Sequence, residues 1–249
     1  MALYFNLLEA YPLLVAANRD EHYDRPAAAP DWISSRPKIF AGKDLFRGGT
    51  WLGANEFGLV VGILNRRVDG MKRVDSKLRS RGLLCLDLLQ LGSAKEAGDY
   101  LRRSEEPYNP FTVVFADMAD AGVAFNNDGK VITNALDAGL HVFSSAAVMD
   151  TRSGKADRAY DRFLRWAHDS PPRKNSGDWL AKLQLLLGDH SMLVDDDPRD
   201  AICVHGSESG TVSSSIIQFS AQERRMETYY CAGAPCENAF VGPRLLDRL

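Results

Sequence analysis

The stretch Leu14-Val15-Ala16-Ala17-Asn18-Arg19-Asp20-Glu21 is an apolar run that ends abruptly in four polar residues, three of them charged. A shorter apolar run, Leu3 to Leu8, precedes it, and Glu9-Ala10-Tyr11-Pro12 is typical of a turn between two strands. The pattern predicts a hairpin whose second strand delivers the four polar side chains beside the first residues of the chain. A solvated strand end is one explanation of such a cluster. The other is an N-terminal residue that acts as a nucleophile with its own α-amine as base.

Four further motifs follow this cluster in a fixed order. They are Tyr23-Asp24-Arg25-Pro26, Ala41-Gly42-Lys43-Asp44, Gly48-Gly49-Thr50-Trp51-Leu52-Gly53 and Ser80-Arg81-Gly82. Together with Ala17-Asn18-Arg19-Asp20-Glu21 they resemble the signature of the Transport and Golgi organisation 2 family, also called NRDE proteins. That family is similar to N-terminal-nucleophile hydrolases of the choloylglycine-hydrolase and penicillin-acyltransferase type. The resemblance implies an amide hydrolase or acyltransferase that acts on an acylated amine or a small peptide.

Residue 2 departs from the pattern of those enzymes. Members with hydrolase chemistry carry Cys directly after the initiator Met, whereas this chain reads Met1-Ala2-Leu3. Alanine has no nucleophilic atom, so the chain as written cannot form a covalent intermediate at Ala2. Two explanations remain open: a natural binding protein on an enzyme scaffold, or an engineered Cys-to-Ala change.

The resemblance assigns catalytic roles to the residues around that position. A free α-amine has a pKa of about 7.7–8.0, so a usable fraction is an unprotonated base near neutral pH. Arg19, with either Asp20 or Glu21, is expected to orient that amine and to control its protonation. The alternative is a purely structural role, in which Arg19 pairs with a carboxylate and holds a turn.

A tetrahedral oxyanion requires preorganised hydrogen-bond donors. Asn65 ends an otherwise apolar strand, and we expect it to be a buried amide that serves this purpose. Two places compete for the second donor: Asn134, and the pair Ser144-Ser145, which the spacing to Asp150-Thr151 favours. Further residues expected to line the substrate site are Asn18, Trp51, Asn134 and His22.

A carrier of acyl-CoA or haem on the same scaffold is the competing function. A local basic cluster suits the phosphates of coenzyme A, although a solvated loop explains it as well. Its members are Arg66, Arg67, Lys72, Arg73, Lys77, Arg79 and Arg81. For haem, His22 is the first candidate ligand. The cysteine and histidine spacings indicate no metal site, and we expect no bound cofactor for the enzyme.

Composition sets limits on the other functions. The 249 residues are 45% hydrophobic and 25% charged, with a formal net charge of −3, which argues against a nucleic-acid partner. No apolar run approaches the length of a membrane span, and the first 20 residues do not fit a signal peptide. The four cysteines are too few for a disulfide framework, so we expect a cytoplasmic protein.

Two strand-rich blocks separated by helices predict an α+β protein. The strands are expected at 2–8, 13–17, 39–41, 50–54, 59–64, 111–115, 121–126, 131–134, 141–145, 201–205, 211–219 and 226–231, followed by a short C-terminal tail. The helices are expected after Ser80, after Ser93 and at 156–168 and 177–187, and Ser93 is predicted to be an N-cap because Glu96 stands at the third helical position. No linker or internal repeat divides residues 1–249, so we expect a single domain. The resemblance sharpens the fold to the four-layer αββα sandwich of N-terminal-nucleophile hydrolases.

Overall fold

A computed structural model describes residues 1–67, 75–127, 129–145, 154–171, 178–191 and 198–246. The strands, in chain order, are β1 (Ala2–Phe5), β2 (Leu13–His22), β3 (Ala27–Ser35), β4 (Lys38–Asp44), β5 (Leu52–Asn55), β6 (Val60–Asn65), β7 (Phe111–Ala116), β8 (Ala121–Asn127), β9 (Lys130–Ala135), β10 (Gly139–Val142), β11 (Ser209–Ser220), β12 (Arg225–Ala232) and β13 (Val241–Leu246). The helices are α1 (Arg81–Leu88), α2 (Ala94–Arg103), α3 (Gly154–Asp169) and α4 (Asp178–Leu187), with a short 3-10 helix at Pro198–Asp200.

The first of two compact units contains Met1–Arg25, Ala138–Ser144 and Met149–Asp247. Its sheet has the order β10-β1-β2-β11-β12-β13, and neighbouring strands are antiparallel. Strand β2 lies between β1 and β11, and its apolar half is buried, with Leu14 and Ala16 in the core beneath the helices. Helices α3 and α4 pack on one face of this sheet, where Phe163, Trp166 and Trp179 contact a core that includes Tyr4 and Leu14.

The second unit is formed chiefly by Pro26–Asp137. Its sheet has the order β3-β4-β5-β6-β7-β8-β9, again antiparallel throughout. Helices α1 and α2 supply Leu84, Leu88 and Leu101 to a core shared with Phe111 and Val113 of β7. Each unit is therefore a sheet with a helical layer on one face, in agreement with the α+β prediction.

Several local predictions are confirmed. The β1–β2 hairpin forms, and it places Ala2 opposite Ala16. Ser93 caps α2 by accepting a hydrogen bond from the Glu96 backbone N–H at 3.2 Å. None of the described helices combines the length and the hydrophobicity that a membrane crossing requires.

Other local predictions are wrong for identifiable reasons. Strand β3 was not expected, because an edge strand that is mostly exposed and contains Pro30 lacks the alternating apolar pattern. Strand β13 is likewise an exposed edge strand where we expected a tail. Instead of a strand at 201–205, the structure has irregular chain with an isolated bridge between His205 and Gly210.

Candidate functional site

The amino terminus lies inside the first unit. Ala2 is fully buried in β1, between Val142 of β10 and Ala16 of β2. The Met1 amine donates a hydrogen bond to the Phe143 carbonyl at 2.9 Å, and the Phe143 N–H donates to the Met1 carbonyl at 2.8 Å. The first two residues are therefore held as part of the sheet.

This environment changes the protonation of the amine. Burial, together with the nearby positive charge of Lys155, lowers the pKa of the Met1 amine from 8.0 to about 5, while Asp20 opposes that shift. A charged amine loses its hydration when it is buried, and a like charge disfavours it further. At neutral pH the amine is consequently uncharged, and its lone pair is able to accept a proton.

Asp20 and Lys155 form the polar surroundings of this amine. The Asp20 carboxylate accepts a hydrogen bond from Thr211 Oγ1 at 2.7 Å and lies 3.6 Å from Lys155 Nζ. Lys155 Nζ also donates to the Arg199 carbonyl at 2.9 Å, which fixes its position. Sequence reasoning missed Lys155, because it lies just before the predicted helix at 156–168 and belongs to no recognisable motif.

Arg19 and Glu21 belong to the opposite face of β2, since successive strand residues point to alternate faces. Glu21 Oε2 lies 3.5 Å from Arg25 Nε, and Glu21 Oε1 accepts a hydrogen bond from the His22 N–H. Burial raises the pKa of the Tyr230 phenol, and the positive charge of Arg19 opposes part of that rise. Of the two carboxylates left open by the sequence, Asp20 is thus the one whose charge acts on the terminal amine.

Asn18 is occupied within the fold. Its side-chain Nδ2 donates two hydrogen bonds of 2.9 Å, one to the Leu187 carbonyl at the end of α4 and one to the Ile202 carbonyl. Its Oδ1 is buried without a hydrogen-bond partner among the described residues. Only this oxygen is therefore available to a ligand, and as an acceptor.

Ser144 is the described residue best placed to donate a hydrogen bond near the terminus. It is buried, it follows Phe143 directly, and its hydroxyl has no partner in the described part of the chain. Ser145 belongs to the second unit, where its carbonyl accepts a hydrogen bond from the Arg67 N–H at 2.9 Å. Asp150 and Thr151, whose spacing favoured this pair, lie outside the described residues.

The remaining predicted site residues are less enclosed. Asn65, at the end of β6, is exposed although it is still paired with Phe111 of β7, so the expectation of a buried amide is wrong. Asn134 is exposed on the edge strand β9, and His22 is exposed at the end of β2. The Trp51 ring packs directly on Gly42, where a Cβ atom added to the glycine would lie only 2.6 Å from the ring. Convergence of Asn65 with residue 2 stays a prediction, since the two belong to different units.

The basic cluster is largely engaged within the second unit. Arg66 is buried, donates to the Asn126 carbonyl at 2.6 Å and lies over the Phe125 ring. Arg79 donates to Asp87 and Tyr108, and Arg81 donates to the Pro110 carbonyl at 2.7 Å. Lys72 and Arg73 fall outside the described residues. Three of the guanidinium groups that suggested a phosphate site therefore have partners within the protein.

One group of potential metal ligands lies elsewhere in the first unit. The ligand atoms of His190, His205 and Cys236 are within 4.8 Å of one another. Their separation in the sequence gave no indication of this.

The solved structures that this chain resembles have the N-terminal-nucleophile hydrolase fold, and the likeness assigns that fold to this chain. Penicillin V acylase from Agrobacterium tumefaciens matches with a TM-score of 0.58 and 12% identity, over 100% of both chains. A variant of conjugated bile acid hydrolase from Clostridium perfringens matches with a TM-score of 0.58 and 13% identity, over 97% of this chain and 91% of that one. At such low identity these likenesses establish the fold alone.

The sequence itself establishes the family. The model of the Transport and Golgi organisation 2 family matches residues 1–230, and the chain belongs to this family. The Transport and Golgi organization protein 2 homolog of Bos taurus is 27% identical over 236 residues, which cover 85% of this chain and 83% of that protein. The resemblance seen in the motifs is thereby confirmed.

Proposed function

We propose that this chain carries the site of an N-terminal-nucleophile amide hydrolase or acyltransferase whose ligand is an acylated amine or a small peptide. The observation that carries the proposal is the buried environment at the start of β1, beside Lys155 and Asp20, which lowers the pKa of the Met1 amine to about 5. Loss of Met1 would leave the terminal amine on residue 2, the next residue of the same strand. The fold shared with penicillin V acylase and conjugated bile acid hydrolase supports the same reaction class.

The proposed reaction requires cysteine at position 2 and loss of Met1. The thiol attacks the amide carbonyl carbon, the terminal amine takes the thiol proton, and that proton then passes to the departing amine. A thioester forms as the carbon–nitrogen bond breaks, and water or a second amine releases the acyl group. Asp20 and Lys155 are proposed to set the protonation of the terminal amine, and Ser144 is the proposed donor to the oxyanion. With Ala2 the site binds its ligand, but no acyl-enzyme forms.

The decisive experiment restores the nucleophile. Ala2→Cys protein with Met1 removed is incubated with a panel of N-acyl amines, and intact mass is recorded. We expect a mass increase equal to the acyl group, together with release of the amine. Ala2→Ser is the matched control, and it should be acylated far more slowly because a hydroxyl is the weaker nucleophile. Absence of any acylated Ala2→Cys species across short and long acyl chains would overturn the proposal.

A carrier of acyl-CoA or haem is the second candidate, and Ala2 favours it, because a carrier needs affinity without turnover. A carrier should be stabilised by about 2.7 kcal/mol when its ligand is present at a hundredfold excess over Kd. Thermal unfolding of the Ala2 chain with acyl-CoA, haem or an uncharged acyl amide distinguishes a carrier from an amide-binding enzyme site. His22→Gln tests whether His22 is the haem ligand. Stabilisation by the acyl amide alone would exclude the carrier.

The proposed compartment is the cytoplasm. All four cysteines are free thiols in the structure. Thiols persist in a reducing compartment, which fits this location.

A further inference from the structure

Four side chains with metal-binding atoms meet where three segments of the first unit come together. Cys203 and His205 precede β11, Cys236 lies in the connection between β12 and β13, and His190 follows α4. Cys203 is buried, whereas the other three are exposed. The group therefore has one anchored member and an open side through which an ion can enter.

The distances within this group are those of a coordination sphere. Cys203 Sγ lies 3.7 Å from Cys236 Sγ and 3.7 Å from His205 Nε2, and His205 Nε2 lies 3.2 Å from Cys236 Sγ. Zinc bonds of about 2.3 Å to sulfur and about 2.0–2.1 Å to nitrogen, arranged as a tetrahedron, separate two sulfurs by about 3.8 Å and a sulfur from a nitrogen by about 3.6 Å. Three corners of the tetrahedron are thus present before any ion is added.

His190 is in reach of the fourth corner. Its ligand atom lies within 4.8 Å of those of His205 and Cys236, and its ring is perpendicular to the His205 ring at a centroid distance of 5.5 Å. Binding requires a change in the side-chain rotamer of His190, which is exposed. Two sulfurs and two nitrogens form a donor set typical of closed tetrahedral zinc sites.

A disulfide between Cys203 and Cys236 fits the geometry less well. The sulfur–sulfur bond of a disulfide is about 2.03–2.05 Å long. In the structure the Cys203 thiol donates a hydrogen bond to Cys236 Sγ at 3.7 Å, a separation that two sulfur ligands of one tetrahedral ion would also have.

The backbone that carries these ligands is fixed by contacts independent of any ion. The Cys203 N–H donates to the Asp189 carbonyl at 2.9 Å, which links the segment that carries Cys203 to the one that carries His190. Gly188, which follows α4, packs closely against Cys236: a Cβ atom on Gly188 would lie only 3.0 Å from the Cys236 backbone nitrogen. Asn18 joins the carbonyls of Leu187 and Ile202. A site on such a framework is largely preformed, so little ordering opposes binding.

We propose that Cys203, His205, Cys236 and His190 bind one Zn²⁺ ion. Binding converts both thiols to thiolates and releases two protons to solvent, while each histidine coordinates through a neutral ring nitrogen. The ion ties the segment after α4, the segment before β11 and the β12–β13 connection to one another. This site is separate from the terminal amine and does not depend on the proposed amide chemistry.

The test uses the full chain, stripped of metal with a chelator and kept reduced. Isothermal titration with Zn²⁺ should give one site per chain. Co²⁺ in its place should give visible bands of tetrahedral geometry and a near-ultraviolet thiolate-to-metal band. His190→Gln and Cys236→Ala change exposed residues, and each should weaken Zn²⁺ binding by at least about 100-fold. His168→Gln, an exposed histidine elsewhere in the unit, is the control and should leave binding unchanged.

Three results would overturn the proposal. The first is a Co²⁺ complex without the thiolate band, and the second is unchanged Zn²⁺ affinity in both ligand variants. The third is a Cys203–Cys236 disulfide found by mass spectrometry in the purified chain, together with no metal uptake after reduction. Cys203→Ala adds an independent measurement: it should abolish one thiolate contribution to the Co²⁺ band while circular dichroism verifies that the chain is folded.

Discussion

Lys155 Nζ lies 3.6 Å from Asp20 Oδ2, and these two opposite charges act on the same buried amine in opposite senses. Lys155 lowers the pKa of the Met1 amine, and Asp20 raises it. The pKa of the amine therefore depends first on burial and then on the difference between the effects of Lys155 and Asp20. A single substitution on either side should shift that balance in a known direction.

Removal of Lys155 should raise the pKa of the terminal amine. Lys155→Met keeps the aliphatic bulk but deletes the like charge, so Asp20 then favours the protonated amine without opposition. NMR titration of the Met1 Cα resonance should give a midpoint above about 5 in the variant. Lys182→Met, an exposed lysine on α4, is the control. An unchanged or lower midpoint in Lys155→Met would contradict the assignment.

The free energy of unfolding should rise with pH between about 5 and 8 through this amine. Its pKa is about 5 in the folded protein and 8.0 without burial, so only the unfolded chain takes up the proton in that window. Stability is consequently lost as pH falls from 8 towards 5, and the loss is complete below 5. Urea unfolding at several pH values measures the slope. In Lys155→Met the pH range over which the free energy of unfolding changes should be narrower. An identical pH dependence in both proteins would show that the Met1 amine is not its cause.

Asn18→Ala should destabilise the first unit by about 1–3 kcal/mol, because two carbonyls lose their donor. Asn65→Ala is the matched control: Asn65 is exposed, and its replacement should change the free energy of unfolding by less than about 0.5 kcal/mol. Urea unfolding followed by circular dichroism compares the two. Equal losses would show that Asn18 does not tie α4 to the Ile202 segment.

The adjacent arginines Arg66 and Arg67 should differ in their effect on stability. Arg66→Met leaves the Asn126 carbonyl without its donor and removes the cation from the Phe125 ring, at a cost of about 1 kcal/mol. Arg67→Met changes an exposed side chain and should be near neutral. Thermal and urea unfolding give the comparison. Any loss of acyl-CoA binding in an Arg66 variant must therefore be corrected for loss of folded protein.

The sequence predicted those features that depend on local pattern. The hairpin that buries Ala2 follows from two apolar runs and a turn, and the cap at Ser93 follows from Glu96 three residues later. Long-range placement was not predictable in this way. Lys155 reaches Asp20 from a different segment, and the exposure of Asn65 depends on what covers the end of β6 rather than on the strand's own sequence.

The group around Cys203 shows the same limit. Sequence spacing detects metal sites whose ligands come in close pairs, and here only Cys203 and His205 are close in the chain. His190 and Cys236 join them because α4 and the β12–β13 connection converge on the segment before β11. That convergence depends on the fold of the whole unit.

The alternation of side chains along β2 has a consequence for how this chain can change over time. Asn18 and Asp20 serve the face that carries α3 and α4, whereas Arg19 and Glu21 serve the other face. The four-residue motif is thus two interleaved pairs with separate partners. Replacements at 18 and 20 should disturb contacts on the helical face and those at 19 and 21 contacts on the other face, whereas insertion or loss of one residue would exchange the two faces at once.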